Sequence, residues 1–257
     1  MFRTDLGFLE KMFPQNDYRE YNILVINQTD EKRPLTSDHE NIRVINSEER
    51  GLSHSRNLAI REAIGEICLV ADDDVQYVEN LNDIVIDAYS TYKDAAVITF
   101  QMNNAEGALY RDYPDITYHT SKTIRSVNGV VISFKTGALL KTETYYDLNF
   151  GLGCTFQTAN EYVFMKNVLK SQLQAVFVNK VILAHPNHSS GQDMGSDRVM
   201  YARAALTHKY YSYLSYLWVF KYLRFLIAHR YIKGKEIFKK MKVGFAGIRK
   251  YRTLVKK

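Results

Sequence analysis

The amino-acid sequence predicts an α/β fold, in which helices flank a Rossmann-like sheet and a basic, aromatic helical tail follows at the C-terminal end. Short apolar runs rich in β-branched residues recur in the first part of the chain, and stretches with helical spacing separate them. Basic and acidic residues are also distributed unevenly along the chain. Residues 201–257 contain 15 lysines and arginines and one acid, which leaves 19 basic and 27 acidic side chains in residues 1–200. We therefore expect an acidic domain over residues 1–200 and a basic tail over residues 201–257.

The composition excludes several classes of protein. A chain of 257 residues with 46% hydrophobic and 24% charged residues can bury a sizeable core, so it is neither disordered nor collagen-like. Its two cysteines, Cys68 and Cys154, are too few for a disulfide framework or a cysteine zinc site, which indicates a reducing compartment. The N-terminal residues do not resemble a secretion signal, and no stretch of about 18 uncharged apolar residues is present. We expect an intracellular protein.

Each predicted strand is a short run that is apolar on both faces, as in a parallel sheet covered by helices. The four runs cover residues 22–27, 42–46, 67–71 and 95–100. Residues 52–65 have an apolar stripe at helical spacing, with Ser53 as the expected N-cap and Gly65 as the residue just after the helix. A second helix is expected over residues 81–92. This alternation predicts βαβ crossovers.

The sharpest local feature is the acidic triplet Asp72, Asp73 and Asp74, directly after the third predicted strand. Open α/β sheets bind ligands beyond the carboxyl ends of their strands, where these carboxylates fall. Adjacent acids repel one another unless a cation or hydrogen-bond donors compensate, and hard divalent ions commonly bridge carboxylates to phosphates. The triplet therefore predicts a metal–phosphate site. The alternative is an ordinary solvated turn rich in aspartate.

A glycine-containing turn at residues 49–57 leads into the first predicted helix. Backbone N–H groups at a helix start favour an anion, and Arg50 and Arg56 could add charge-assisted hydrogen bonds to phosphate. A capped helix with surface arginines explains the same residues equally well. The phosphate interpretation gains support because the next strand leads to the acidic triplet.

These motifs, in this order, resemble family 2 glycosyltransferases of the GT-A fold over residues 3–200, and the resemblance implies a Rossmann-like mixed sheet flanked by helices. The matching segments are the strand that ends at Asn27, the run R-G-L-S-H-S-R-N at residues 50–57, A-I-G-E at residues 63–66 and L-V-A-D-D-D at residues 69–74. Downstream, F-G-L-G-C at residues 150–154, N-E at residues 160–161 and H-P-N-H-S-S-G at residues 185–191 resemble the family's acceptor segment, its acidic helix and a histidine loop of bacterial polysaccharide transferases.

The resemblance implies a donor site, a metal site and a catalytic base. The donor is expected to be a nucleotide-sugar, in particular a UDP-sugar. The residues expected to bind it are Thr4, Asn27, Asp30, Arg50, Gly51, Ser53, Arg56, Asn57 and Asp72. The metal is expected to be Mn²⁺ or Mg²⁺, with Asp73 as the leading ligand beside Asp74 and His185. Glu161 is the candidate general base, which deprotonates the acceptor hydroxyl for in-line attack with inversion.

Ordinary roles remain open for several of these residues. Glu161 could be an acid that the helix dipole favours in a first turn. His185 and His188 could be hydrogen-bonding loop residues rather than ligands of a metal or a diphosphate. Gly151 and Gly153 could serve a turn that needs positive φ, rather than border an acceptor site.

Departures from the family pattern motivate a second function. The family opens with an apolar strand before a polar turn, whereas this chain starts at the turn, so either the start was mis-assigned or the sheet lacks an element. Asn27 and Gln28 stand where many members have an aspartate, and Asn160 stands where an acid is common. The alternative is a catalytically silent GT-A-like module that binds a nucleotide-sugar or a partner enzyme. A nucleotidyltransferase is a weaker rival, because it should carry a basic phosphate-binding loop near its start.

The basic tail predicts a partner of its own. Residues 210–228 are aromatic and apolar, but Lys221 and Arg224 disfavour spanning a membrane, whereas Tyr and Trp favour its interface. Residues 233–257 are strongly basic, which attracts anionic lipids. We expect residues 210–257 to attach the protein to the cytoplasmic, inner face of the plasma membrane, which fits a glycan acceptor carried on a lipid. The alternatives are packing of the aromatic residues on the body, and nucleic-acid binding, against which the acidic body argues.

Overall fold

The computed structural model describes residues 2–30, 33–185 and 193–255. Within them the chain divides into two compact units. The first unit comprises Met1–Arg50, His54–Asp147 and Glu161–Asn187, and the second unit comprises Gly51–Ser53, Leu148–Asn160 and His188–Lys257. The division into a domain over residues 1–200 and a tail over residues 201–257 stays a prediction.

The strands of the first unit form two sheets. β1 (Ile23–Gln28) and β2 (Ile42–Ser47) pair in parallel, with Ile23 opposite Ile42. The other strands are β3 (Ile67–Leu69), β4 (Gln76–Tyr77), β5 (Val97–Asn103), β6 (Ile132–Lys135) and β7 (Ala175–Ala184), and their order across the second sheet is β3-β6-β5-β7-β4. β5 and β7 are parallel, whereas the other three pairs are antiparallel. The predicted α/β class with a mixed sheet is confirmed.

All four predicted strands are present, but two of them end elsewhere and pair differently. β3 stops at Leu69, and β5 continues to Asn103. The apolar runs also predicted parallel pairing, whereas β3 and β5 both pair with the antiparallel β6. The reason is that burial on both faces makes a strand apolar whatever the direction of its neighbours, so the pattern reports burial and not direction.

The described residues contain eight α-helices. They are α1 (Phe8–Met12), α2 (Leu52–Glu62), α3 (Leu81–Thr91), α4 (Thr136–Lys141), α5 (Asn160–Lys170), α6 (Asp197–Tyr211), α7 (Leu214–Ala228) and α8 (Ile237–Val255). The helix predicted over residues 81–92 is α3. The predicted N-cap role of Ser53 was wrong, because α2 already begins at Leu52 and the Ser53 hydroxyl donates to the carbonyl oxygen of Phe150. Gly65 does not directly follow α2 either, since that helix ends at Glu62.

Two apolar clusters form the core of the first unit. One includes Leu9, Leu81 and Ile98, and the other includes Ile60, Val97 and Phe164. Val97 and Ile98 are neighbours in β5 and enter different clusters, as the alternation of side chains along a strand requires. Both are fully buried. The central strand β5 is therefore covered on both faces.

Helices α6, α7 and α8 pack together in the second unit. Their shared apolar cluster includes Met200, Val219, Leu226 and Ile248, all fully buried. α6 begins after Ser196, whose hydroxyl accepts a hydrogen bond from the backbone N–H of Val199 at 3.2 Å. Among the helices of the described residues, none has both the length and the apolar character needed to cross a membrane.

Candidate functional site

The turn after β3 brings Asp73 and Asp74 to a cleft in the first unit. The cleft has a volume of about 690 Å³, and the N-terminal residues Arg3 and Thr4 line it together with these two carboxylates. Its position agrees with the prediction that the acidic triplet lies beyond the carboxyl end of a strand. Thr4 and the two aspartates, predicted separately from the sequence, therefore lie in one cleft.

Arg3 already holds a positive charge against Asp73. Its Nε lies 2.5 Å from Asp73 Oδ2, and both side chains remain partly exposed. The backbone of Arg3 is also held, because its N–H donates to Asn27 Oδ1 at 2.9 Å and its carbonyl accepts from Asn27 Nδ2 at 3.2 Å. Asn27 is fully buried and also donates to Asn46 Oδ1 at 3.0 Å. The side-chain amide of Asn27 is thus engaged in hydrogen bonds with the Arg3 backbone and with Asn46. The role of Asn27 in donor binding stays a prediction.

Asp74 and His185 form a second close pair of side chains, of which Asp74 lines the cleft. His185 Nε2 lies 3.8 Å from Asp74 Oδ1, and the His185 side chain is largely buried. The backbone N–H of His185 donates to the carbonyl of Asn103, at the end of β5, over 3.0 Å. In the part of the chain that the structure describes, no group of three or more His, Cys, Asp or Glu side chains could hold a metal ion. The predicted loop histidine His188 lies outside the described residues.

Arg56 joins two acids that are distant in the sequence. Its Nη2 lies 3.2 Å from Asp72 Oδ1, and its Nη1 lies 3.4 Å from Glu161 Oε1. The Arg56 side chain is buried, and its guanidinium lies over the Tyr146 ring at 5.4 Å from the centroid. The arrangement makes Arg56 a shared counter-ion, because opposite charges inside a protein interact more strongly than in water.

The charge of Arg56 is secure despite its burial. Burial by itself lowers the pKa of Arg56. The neighbouring Tyr146 and the two carboxylates more than offset this, and the pKa lies above its usual range. Burial also raises the pKa of the Tyr146 phenol well above its usual range. The ring therefore stays neutral, and the guanidinium supplies the positive charge between the acids.

Gly129 leaves room for this arginine. A Cβ atom at this position would lie 2.6 Å from Nη2 of Arg56, 2.9 Å from its Nη1 and 3.0 Å from Glu161 Oε1. Gly129 belongs to a short 3₁₀ turn just before β6. A side chain here would displace the guanidinium, so the missing Cβ is part of how the Arg56–Glu161 pair is held.

The remaining predicted residues of the first unit do not line the cleft, and two of them form hydrogen bonds with backbone groups. Asn57 is buried and binds the backbone of Tyr146, donating to its carbonyl at 2.9 Å and accepting from its N–H at 2.7 Å. Arg50 donates to the carbonyl of Gln28 at 2.6 Å, and Asp30 is exposed, with its carboxylate 3.9 Å from Arg33.

Two predicted donor residues belong to the second unit. Gly51 has a φ of 114°, and the N–H of the following Leu52 donates to the carbonyl of Leu152 at 2.8 Å. A Cβ on Gly153, itself at a φ of 74°, would lie 3.1 Å from the Cα of Gly51. Positive φ and close backbone approach therefore explain these glycines. Ser53 is fully buried, and roles for Gly51 and Ser53 in donor binding stay predictions.

Sequence reasoning missed three residues of this site. Arg3 lies in the polar turn at the start of the chain, and its type alone could have marked it as a counter-ion for the acidic triplet. Gly129 and Tyr146 carry no local signal, since each matters only because the fold places it against Arg56.

Comparison with known proteins agrees with the fold and with the motifs. The family model described as glycosyl transferase family 2 matches residues 7–148, which is more than half of the chain. A search of curated protein sequences found no match. Among solved structures, S. aureus TarS 1-349 in complex with UDP-GlcNAc has a TM-score of 0.53 and 15% identity over 82% of this chain and 64% of that one.

Two further structures of the same protein are similar. S. aureus TarS 1-349 has a TM-score of 0.54 and 14% identity, over 97% of this chain and 85% of that one. S. aureus TarS 1-349 in complex with UDP has a TM-score of 0.52 and 16% identity, over 91% and 72%. Identities this low carry the fold alone, and they confirm the GT-A architecture. The family model covers more than half of the chain, and the predicted strands, the glycine-containing turn and the acidic triplet lie within the matched residues. The chain therefore belongs to glycosyltransferase family 2.

Proposed function

We propose that this protein transfers a sugar from a nucleotide-sugar to a glycan acceptor. The observation that carries the proposal is the position of Arg56, which holds the donor-side acid Asp72 and the candidate base Glu161 within 3.4 Å of one guanidinium. Asp73 and Asp74, in the same turn as Asp72, line the adjacent cleft. A carboxylate for the acceptor and carboxylates for the donor are what such a transfer requires.

A UDP-sugar is the proposed donor. Two of the similar structures are described as complexes with UDP-GlcNAc and with UDP, which supports a uridine nucleotide for a chain of this fold. The cleft of about 690 Å³ is within the usual size of a small-molecule site. Thr4, at the N-terminal wall of that cleft, is the proposed contact for the nucleotide.

A divalent ion, Mn²⁺ or Mg²⁺, fits these residues when the donor's phosphates complete its ligands. Mg²⁺ is usually bound by one or two carboxylates together with substrate phosphates. Asp74 and His185 lie 3.8 Å apart, and Arg3 already places a cation against Asp73. Asp73, Asp74 and His185 are the proposed ligands, and because no three such side chains are grouped in the described residues, the donor's phosphates would have to supply the remaining ligands. When bound, the ion would neutralise negative charge on the departing diphosphate.

Glu161 is the proposed general base. It lies in the first turn of α5, and its side chain remains partly exposed, so an acceptor can reach it. Its carboxylate would take the proton of the acceptor hydroxyl while that oxygen bonds to the anomeric carbon and the nucleotide diphosphate leaves from the opposite side. This geometry inverts the anomeric centre.

A lipid-linked glycan is the proposed acceptor, and the protein is proposed to attach to the inner face of the plasma membrane. The support is electrostatic. Residues 201–257 contain 15 basic residues and one acid, and anionic lipid surfaces attract such segments.

A catalytically silent nucleotide-sugar-binding module is the second candidate. Two contacts favour it, because Arg3 neutralises Asp73 and Asn27 is committed to the backbone of Arg3. In this arrangement the donor would bind, while turnover would be absent.

Calorimetric titration of UDP, GDP, dTDP and a panel of UDP-sugars, with and without Mn²⁺, tests the proposal. We expect UDP to bind more tightly with Mn²⁺, and Asp73→Ala to lose the metal dependence. Asp83→Ala, an exposed aspartate on α3, serves as the matched control. If none of the nucleotides binds the wild-type protein, the proposal fails. If a UDP-sugar binds but wild-type and Glu161→Gln proteins consume it at the same background rate, the silent module is correct.

A further inference from the structure

Helix α7 exposes an apolar face on the side opposite its packing surface. Ser215, Val219, Tyr222, Leu223 and Leu226 are buried, and they lie along one side of the helix. The opposite side shows Leu214, Leu217 and Phe220 with exposed fractions of 63%, 67% and 49%. Since 3.6 residues complete a turn, these positions and Ile227 fall on one continuous strip. The helix is thus apolar on both sides, although only one side is packed within the second unit.

The only charges on the exposed strip are positive. Lys221 and Arg224 are exposed and lie among the apolar side chains, and the sequence of α7 contains no acid. We define the α7 outer face as Leu214, Leu217, Phe220, Lys221, Arg224 and Ile227. An ordinary solvated helix face carries polar residues and charges of both signs. A strip of this composition indicates a partner with an apolar interior and a negatively charged surface.

Aromatic residues flank both ends of the strip. Tyr211 and Tyr213 precede α7, with exposed fractions of 51% and 68%, and Tyr231 follows it at 46%. Tyr prefers the boundary between acyl chains and headgroups, where its ring lies in apolar surroundings and its hydroxyl in water. The exposed tyrosines therefore mark the same boundary as the two cationic side chains.

We propose that the α7 outer face lies in the interface of an anionic lipid bilayer, with the helix axis parallel to the membrane. This inference rests on the membrane attachment proposed above and identifies the surface that makes it. Leu214, Leu217 and Phe220 enter the acyl boundary. Lys221 and Arg224 extend to lipid phosphates, because their long aliphatic stems can stay in apolar surroundings while the charges reach the headgroups.

A second copy of the chain suits this face less well than lipid does. A two-fold contact would bring Lys221 and Arg224 of both copies together, and α7 offers no acid to compensate them. Anionic headgroups supply the missing charge. Further exposed basic residues of the second unit, on α8, add long-range attraction to the same surface charge: Lys242, Arg249 and Lys250.

The single tryptophan of the chain gives a direct probe of this helix. Trp218 lies in α7 and stacks on Tyr222, with 4.7 Å between ring centroids. The experiment adds the full-length protein to phosphatidylcholine vesicles with and without phosphatidylglycerol, and measures sedimentation and Trp218 fluorescence. Vesicles with brominated acyl chains report depth. We expect binding only with phosphatidylglycerol, a blue shift of Trp218, and quenching by bromines near the headgroup end of the chains.

Three variants separate the contributions that apolar contact and positive charge make to vesicle binding. We expect Leu217→Glu/Phe220→Glu to weaken vesicle binding at least about tenfold, because it removes buried apolar area and adds charge of the same sign as the lipid. Lys221→Glu/Arg224→Glu should weaken the phosphatidylglycerol dependence. Ile86→Glu, at a 57% exposed position of α3, is the matched control and should bind as the wild type does. Circular dichroism checks that each variant is folded.

Each result has a distinct meaning. If the wild type binds the vesicles but Leu217→Glu/Phe220→Glu binds equally well, the protein attaches through another surface and this inference is wrong, while membrane attachment stands. If the wild type does not bind, both are wrong, and sugar transfer is still judged by the nucleotide titration. If light scattering shows a dimer that the double variant dissociates, a second copy covers the face and the lipid assignment is wrong.

Discussion

The guanidinium of Arg56, in α2, lies 3.4 Å from the carboxylate of Glu161, in α5, although 105 residues separate them in the chain. The same guanidinium contacts Asp72, which precedes the two cleft carboxylates. The candidate base and the donor-side acid therefore depend on one buried cation. Disturbing that cation should disturb catalysis more than it disturbs nucleotide binding in the cleft.

Gly129→Ala tests this dependence without removing a charge. The added Cβ would overlap the Arg56 guanidinium, which is the far end of a flexible side chain, so the protein should fold while the Arg56–Glu161 pair is displaced. We expect turnover to fall about tenfold or more with nucleotide affinity nearly unchanged. Steady-state kinetics together with UDP titration measure the two effects. Gly137→Ala is the control, since a Cβ there meets nothing within 4 Å; equal losses in both variants would contradict the interpretation.

Arg56→Gln should destabilise the fold as well as abolish turnover. It leaves Asp72 and Glu161 facing each other without their shared cation. Breaking a fully buried pair costs about 3–5 kcal/mol, and we expect roughly 2 kcal/mol here because both carboxylates are partly exposed. Urea denaturation measures the free energy of unfolding. Arg56→Lys should recover part of the stability, since lysine keeps the charge but loses the fork that reaches two acids. A stability equal to that of the wild type in Arg56→Gln would show that the pair contributes nothing.

Arg3→Ala should strengthen Mn²⁺ binding in the absence of nucleotide. The Arg3 guanidinium and a metal ion compete for the same Asp73 carboxylate, 2.5 Å from Arg3 Nε. Because the pair is partly exposed, it is worth at most about 1 kcal/mol, which corresponds to roughly a fivefold gain in affinity. Electron paramagnetic resonance of free Mn²⁺ gives the affinity directly. Arg19→Ala breaks a similar exposed pair, with Asp17, and should leave Mn²⁺ binding unchanged. A weaker affinity in Arg3→Ala would mean that the arginine assists the metal.

His119 should make the first unit less stable in mild acid. Burial lowers the pKa of His119 to about 4, and its Nε2 lies 2.7 Å from the Thr99 hydroxyl. In the unfolded chain the histidine pKa is about 6.5, so between pH 6.5 and 4 the unfolded state binds more protons. Stability is therefore lost as the pH falls through this window, by roughly 3 kcal/mol in total. Urea denaturation across that range should show a smaller loss for His119→Gln. His39→Gln, at an exposed histidine, is the control and should lose as much stability in acid as the wild type does. If His119→Gln also loses as much as the wild type, the interpretation is wrong.

Gly247→Ala should loosen the second unit. A Cβ at Gly247 would overlap the backbone carbonyl of Tyr201, and backbone cannot move aside as a side chain can. Helices α6 and α8 would have to separate, which we expect to cost about 1–3 kcal/mol. Thermal unfolding followed by Trp218 fluorescence reports on this unit. Gly234→Ala, where a Cβ has open space, is the control. Equal melting curves for Gly247→Ala and the wild type would contradict the close approach.

The predicted fold class was confirmed because its signals are local. Apolar runs identified β1, β2, β3 and β5, and helical spacing identified α2 and α3, since burial on both faces and an amphipathic stripe are readable in the residues themselves. Strand direction was not readable. β6, which lies between β3 and β5 and runs antiparallel to both, carries nothing in its four residues that specifies its neighbours.

The sequence by itself determined the family, the acidic turn and the divided charge, because each of these is a property of neighbouring residues in order. Only the tertiary structure decided which charges meet. It placed Arg56 between Asp72 and Glu161, put Arg3 on Asp73, and turned the amide of Asn27 to the Arg3 backbone. The physical reason is that an ion pair depends on distance in space, and distances between residues far apart in the chain are set by the packing of sheets and helices around them.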